Sequence, residues 1–388
     1  MAQAIISRRG GGSGYATITF NGVSALKRTG VSALSVARGY LAATTVGNYA
    51  LFGGGATSSD ILSTVNAYNT SLTKSNPTAL SVARDHLAAT TVGTYALFGG
   101  GYNSSSPYYK STVDAYNTSL TRSTPTALSV ERDYLAATTV GTYALFGGGY
   151  NSSSPYYKST VDAYNTSLTR STPTALSVAR GYLAATTVGN YALFGGGATS
   201  GAYLSTVDAY NSSLTRTTPT ALSVARGYLA ATTVGSYALF GGGEASSRLS
   251  TVDAYNTSLT RSTPTALSVA RSYLAATTVG NYALFGGGIV SETVDAYDTS
   301  LTRSIPTVLS QWRRFLAATT VGNYALFGGG EYDATVDAYY VNNKVLVYPG
   351  TKYKLGSMSS ESTSSTMQEI ETTAPITGYI KIKDATIN

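Results

Sequence analysis

Seven copies of one unit, LAATTVGxYALFGGG followed by a variable stretch and then TV(D/N)AY, fill most of this 388-residue chain. The copies begin at Leu41, Leu87, Leu135, Leu183, Leu229, Leu274 and Leu316. Such a repeat settles the architecture before any site is considered, because each unit must bury its apolar face on its neighbours. The spacings between starts are 46, 48, 48, 46, 45 and 42 residues, and the stretches between GGG and TV(D/N)AY in the first six copies are 8, 10, 10, 8, 7 and 4. Each pair of values differs by 38, so all length variation sits in one loop. That loop is the first place to look for function.

Each copy reads as four short strands. LAATTV, rich in small and β-branched residues, is the first. A Gly-x pair follows (Gly47-Asn48, Gly93-Thr94), which suits a two-residue hairpin. YALF is the second strand, closed by three glycines, and TVDAY is the third. Asn-Thr-Ser (Asn117 to Ser119) makes a polar turn. The fourth strand carries LTRS and leads through TPTALSVAR to the next copy. Helix has little support, since apolar residues do not recur at three-and-four spacing. Four strands per unit at this period predict an all-β fold of propeller blades. Seven blades fit a closed ring, which removes exposed sheet edges.

The repeat resembles the kelch family. The matching elements are the Arg before the inner strand (Arg38, Arg84, Arg132), the glycine runs (Gly53 to Gly55, Gly99 to Gly101) and the Tyr of the third strand (Tyr68, Tyr116). They recur in order over roughly residues 36 to 340, and the resemblance implies a seven-bladed kelch-type propeller. One departure stands out. Kelch repeats carry a Trp shortly after that Tyr, whereas this chain has only Trp312, elsewhere. Six residues after the Tyr it has Lys74, Arg122, Arg170, Arg216, Arg261 and Arg303. The packing between blades is therefore expected to differ from the family norm. The propeller is expected over 15–347, with a basic, glycine-rich adaptable arm at 1–14 and a C-terminal β extension at 348–388. Residues 16–38 look like a degraded third-and-fourth-strand segment. Either these N-terminal strands complete or flank the last blade, or all seven blades are self-sufficient and the hairpin only covers an edge.

Strands in a blade alternate direction, so the 2–3 loops and the blade-to-blade crossings share one face. Everything that differs between copies falls on that face. The loops read ATSSDILS, YNSSSPYYKS twice, ATSGAYLS, EASSRLS, IVSE and EYDA, and the crossings end in Gly39-Tyr40, Asp85-His86, Asp133-Tyr134, Gly181-Tyr182, Gly227-Tyr228, Ser272-Tyr273 and Arg314-Phe315. Tyr, Ser, Asn and Gly are the residues of antibody loops, where Tyr gives broad contact at low entropy cost. Tyr102, Tyr108, Tyr109, Tyr150, Tyr156 and Tyr157 are the leading candidates for ligand contact, with Tyr203, His86 and Tyr134. Exposed aromatics also stack on sugar rings, which makes a glycan a candidate ligand. Leu87 to Val130 and Leu135 to Val178 are identical over 44 residues, as expected of recent duplication or homogenisation. The rim is expected to be tall over copies two and three and low over six and seven.

Arg38, Arg84, Arg132, Arg180, Arg226, Arg271 and Arg313 form a second recurring set. They could hold an anion such as a phosphate or acidic sugar, or tie loops to acids such as Asp114 or Asp162. Repetition in every blade favours the structural reading. Lys and Arg exceed Asp and Glu by 26 to 19, but recur along the repeats rather than clustering, so nucleic acid is not the expected partner. Catalysis is not expected either, and no cofactor or metal is implied. The only His is His86 and there is no Cys, so the ligands of copper oxidases on kelch folds are missing. Acidic departures such as Glu131, Glu244, Glu292 and Glu331 are scattered, and GGG lacks the following helix and Lys-Ser/Thr of a phosphate loop. No apolar run suits a signal peptide or membrane span. The protein is accordingly expected to be made in a cytoplasm, with the NTS sequences acting as turns.

At the C-terminal end, Ser357 to Ser365 reads as a polar link, Ile376 to Asp384 as a strand and TMQEIETT as its candidate partner. Both ends resemble, over short stretches, the termini of phage tail and baseplate proteins of Gram-positive bacteria. That resemblance implies a virion component that contacts a host-surface glycan or protein through its variable face. Its ends would join other virion proteins, and a homo-oligomer stays open. The competing expectation is a cytoplasmic bacterial protein-interaction scaffold using the same face.

Overall fold

The computed structural model describes residues 26–342 in full and several short strands of the two chain ends by their backbone alone. It divides into two compact units, one spanning Arg28–Tyr339 and the other joining 1–27 to 340–388. The adaptable arm expected over 1–14 lies outside the described residues.

Six four-stranded antiparallel sheets and a seventh of five strands succeed one another along the chain. The inner strands are Ala42–Val46, Ala88–Val92, Ala136–Val140, Ala184–Val188, Ala230–Val234, Ala275–Val279 and Ala317–Val321, and they number the blades 1 to 7. In blade 2 the remaining strands are Tyr95–Gly99, Val113–Asn117 and Arg122–Ser123, with Tyr95 opposite Val92 and Tyr116 opposite Arg122. Neighbouring inner strands lie side by side all the way round, blade 7 against blade 1 included, which makes a closed seven-bladed propeller. The ring is closed where strand Ala25–Val31 pairs with Val336–Val347 of blade 7. Arg28 there binds Asp337 at 2.8 Å, doing for blade 7 what Arg122 does for Asp114 in blade 2. Of the two closure schemes open from sequence, the structure takes the one in which an N-terminal strand completes the last blade.

The core lies between blades. Val46, Leu51, Val65 and Ala67 of blade 1 pack on Ala96, Phe98 and Tyr116 of blade 2, and the set repeats round the ring. The first glycine of each GGG gives the Phe of the next blade its place: a Cβ on Gly53 would sit 2.8 Å from the Phe98 ring. The second makes the turn in the left-handed region. Gly54 has φ +69°, and a Cβ there would come 2.5 Å from the Arg84 carbonyl oxygen. Gly54→Ala is expected to cost about 2 kcal/mol or more through strain and that backbone clash. A chemical denaturation midpoint equal to that of the wild type would contradict this.

Along the axis, Thr pairs knit the inner strands together. Thr44 Oγ1 lies 2.9 Å from Thr91 Oγ1, and the Thr91 hydroxyl donates to the Thr45 carbonyl. The same motif closes the circle between Thr319 and Thr45 at 2.9 Å. At the outer edge the Asn of each NTS turn is used internally, as Asn117 Oδ1 accepts the Ser119 and Thr121 N–H groups at 3.0 and 2.9 Å.

In the terminal unit, Gly378–Lys381 pairs with Lys352–Leu355. The TMQEIETT segment does not pair with that strand, as its sequence suggested. Its Gln368–Thr372 pairs with Asn343–Val347 instead, a longer and more β-branched edge than GYIK offers.

Candidate functional site

The residue before each inner-strand Leu sits in the left-handed region although it carries a side chain. Tyr40, His86, Tyr134, Tyr182, Tyr228, Tyr273 and Phe315 have φ between 48° and 59°. For bulky residues this backbone is strained. Here it turns each N–H onto the carbonyl of the same position in the preceding blade. Tyr40 donates to Phe315 at 2.9 Å, His86 to Tyr40 at 3.0 Å, and so on round to Phe315 donating to Tyr273 at 3.2 Å. Seven backbone hydrogen bonds thus form a closed circle at the channel mouth. The seven rings stand beside one another with centroids 4.0–4.6 Å apart, including Tyr40 to Phe315 across the seam between blades 7 and 1. With the leucines beneath they line a cavity of about 410 Å³. A second cavity of about 350 Å³ lies deeper, among the alanines and threonines of the inner strands.

The 2–3 loops open onto this same mouth. In blades 2 and 3 the crossing residue bridges to the first loop residue: Asp85 to Tyr102 and Asp133 to Tyr150, with N–H···O distances of 2.9–3.0 Å in both directions. Each loop folds back as a narrow hairpin, Tyr102 opposite Tyr109 and Tyr150 opposite Tyr157. Their tips contain cis Ser106-Pro107 and Ser154-Pro155 peptides. The tip of the second loop is held by Lys158, whose Nζ donates to the Ser153 and Pro155 carbonyls at 3.0 and 2.5 Å. Lys110 does the same for Pro107 in the first.

Five of the candidate tyrosines come together in one run. Tyr102 stacks on Tyr108 at 6.3 Å and meets Tyr109 edge-on at 5.7 Å, and Tyr109 then reaches Tyr150 at 5.7 Å and Tyr150 reaches Tyr157 at 5.4 Å. Tyr108 and Tyr156 are half exposed at 51% and 54%. Tyr203 belongs to blade 4 and packs over Gly227 rather than joining the run. His86 and Tyr134 are members of the mouth ring. The other five members did not figure among the candidates, although an aromatic before Leu in six copies and His in the other was a readable signal.

The seven arginines lie inside the blades. All are at most 1% exposed. In blade 3, Arg132 Nη2 donates to Asp162 at 2.6 Å and to the Phe146 carbonyl at 3.2 Å. Arg84, Arg180, Arg226, Arg271 and Arg313 pair in the same way with the Asp of TVDAY, at 2.6–2.9 Å. Arg38 is the exception, because blade 1 has Asn66 there, whose Oδ1 it meets at 2.9 Å. Burial without a carboxylate partner draws the Arg38 guanidinium down to about 10.

The crossing position carries Gly39, Gly181, Gly227, Ser272 and Arg314 in five blades, and Asp85 and Asp133 in the two with long tyrosine loops. Ser272 donates to Glu244 at 3.0 Å and Arg314 binds Glu331 at 2.5 Å. The two aspartates are different. They are 6% and 4% exposed, and Oδ1 of each is buried without a hydrogen-bond partner among the described residues. Asp85 has only the His86 Nδ1 nearby, at 3.1 Å. Burial, reinforced by the Asp85 charge, pushes the Asp133 carboxyl up to about 8. Burial first, and the Asp133 charge next, lifts the Tyr109 hydroxyl to about 12.

A carboxyl raised in this way favours the folded state only while protonated. Its contribution is full below the unfolded-state value near 4 and is lost as pH rises through about 8. Asp133→Asn is thus expected to stabilise the protein by a margin that widens from pH 5 to pH 9. Thermal unfolding at the two pH values checks this, and an equal margin at both would contradict it.

No family model matches the sequence, and no curated protein matches it. Among solved structures the chain is similar to one titled "Structure of YjhT", at 12% identity and TM-score 0.56, over 77% of this chain and 99% of that one. A likeness at that identity shows the propeller fold alone.

Proposed function

We propose that this chain is a non-catalytic, kelch-type recognition propeller that acts as a phage virion component and contacts a host-surface glycan or protein through the loops of blades 2 and 3. The observation that supports the reading is the concentration of tyrosines on one sector of one face. Tyr102, Tyr108, Tyr109, Tyr150 and Tyr157 form a continuous aromatic run there. Aromatic rings that stay partly exposed on a rigid scaffold give contact area at low entropic cost. A structural reason for the tyrosines is lacking, since blades 5 and 6 close the same connection with EASSRLS and IVSE. Catalysis is not part of this reading.

The test is mass spectrometry and antibody labelling of phage particles from the source strain. Label at a tail tip or fibre is the expected result. Absence from particles overturns the virion reading and leaves the intracellular scaffold, which would use the same face.

A further inference from the structure

We infer that Asp85 and Asp133, with the tyrosines above them, form a site for an ammonium group carried by the ligand. The inference rests on the reading of this face as a binding surface and names the chemistry the face selects.

Four observations carry it. The fold does not need acids here, since the same crossing position is Gly, Ser or Arg in the other five blades. Both acids occur in the blades with tyrosine loops, and each is bridged by its backbone to the first tyrosine of its loop. Both are more than nine-tenths buried, and among the described residues neither Oδ1 has a hydrogen bond, although His86 Nδ1 stands 3.1 Å from that of Asp85. Finally, among the described residues they meet no strong cation. Arg84 and Arg132 are committed to Asp114 and Asp162, and Lys110 and Lys158 to loop carbonyls. His86 is the one ionisable cation beside the pair.

Two carboxyls this deeply buried, with only His86 Nδ1 at 3.1 Å from one of them, oppose folding. An incoming ammonium group would lessen that opposition by supplying the charge and the N–H donors the carboxylates lack, next to tyrosines whose ring faces attract cations. A neutral sugar hydroxyl can donate to one oxygen but leaves the charge uncompensated. The site therefore favours an amine-bearing sugar or aminoacylated glycan over its neutral counterpart.

Ligand-observed saturation-transfer NMR with ethylammonium chloride, and ethanol as its neutral match, tests this on the full-length protein. The expected result is transfer to ethylammonium, at least tenfold tighter than to ethanol, and lost in the Asp85→Asn/Asp133→Asn variant. Asp60→Asn, an exposed acid on the blade 1 loop, should leave the signal unchanged. No transfer to ethylammonium, or equal transfer in the double variant, overturns the inference. Folding of the variant is not at issue, because other blades lack the acid altogether. Host adsorption without ethylammonium binding would sink this inference and leave the recognition reading standing; ethylammonium binding without adsorption would do the reverse.

Discussion

Asp162→Ala is expected to lower the free energy of unfolding by ~3–5 kcal/mol, because it strands a buried guanidinium. Arg132 is 0% exposed, and Asp162 is its only carboxylate partner among the described residues. The same carboxylate accepts from the Ser129 N–H and hydroxyl at 3.0 and 3.1 Å and attracts Arg170 at 3.7 Å. Truncation therefore unties the crossing, the third strand and the outer strand of the blade together. Blade 1 supplies the natural counterpart. Asn66 keeps the hydrogen bonds, accepting from Arg38 at 2.9 Å and from the Ser35 N–H and hydroxyl at 3.3 Å, but not the charge. Asp162→Asn should accordingly cost much less than Asp162→Ala. The reverse change, Asn66→Asp, should gain about 1–2 kcal/mol by compensating Arg38. Urea unfolding of the three variants checks the set, and equal costs for Asp162→Ala and Asp162→Asn would contradict it.

A chain that starts at Ser35 is expected to lose at least about 4 kcal/mol, by loss of one buried leucine at about 2–3 kcal/mol and several hydrogen bonds at about 1 each. Leu34 is 4% exposed and packs with Leu326 and Val336. Its N–H donates to Ala334 at 2.7 Å, and Tyr68 and Lys74 of blade 1 each reach carbonyls of the same segment, Ser32 and Ala33, at 2.7 Å. Arg28 would also leave Asp337, and the third strand of blade 7 would become an open edge prone to pair with another chain. Size-exclusion chromatography should show association beyond that of the full chain, and adding a peptide of residues 25–36 should reverse it. A truncated chain as stable as the full one and no more associated would contradict the closure described.

The fold was legible because the period carries it. Length variation confined to one loop placed that loop on one face, and the similarity of ALKRTGVSALSVAR to LTRSTPTALSVAR already hinted at the closing strand. The site was legible only in part. Repeated Arg at three residues before each Leu and repeated Asp in TVDAY could be seen, but not that they meet inside the blade, which takes the register of the sheet. The left-handed backbone of the mouth ring has no sequence mark, because Gly or Asn would be the ordinary choice there and this chain uses Tyr. Asp85 and Asp133 were visible as departures. Their orphaned oxygens were not, since a missing partner is a property of three dimensions. In the C-terminal unit, alternation identified a strand but not its mate, as alternation fixes a face and not a neighbour.

The central claim is that the loops of blades 2 and 3 are the recognition surface. The most direct measurement replaces residues 102–111 and 150–159 with the IVSE connection of blade 6 and compares cosedimentation with cell envelopes of the host. Wild-type protein should bind. The double-loop variant should lose at least tenfold in affinity while keeping its unfolding midpoint, and a variant altered in the opposite-face turns at Asn117 and Asn165 should bind as the wild type does. Equal binding by the double-loop variant, or loss through the opposite-face turns alone, would contradict the account.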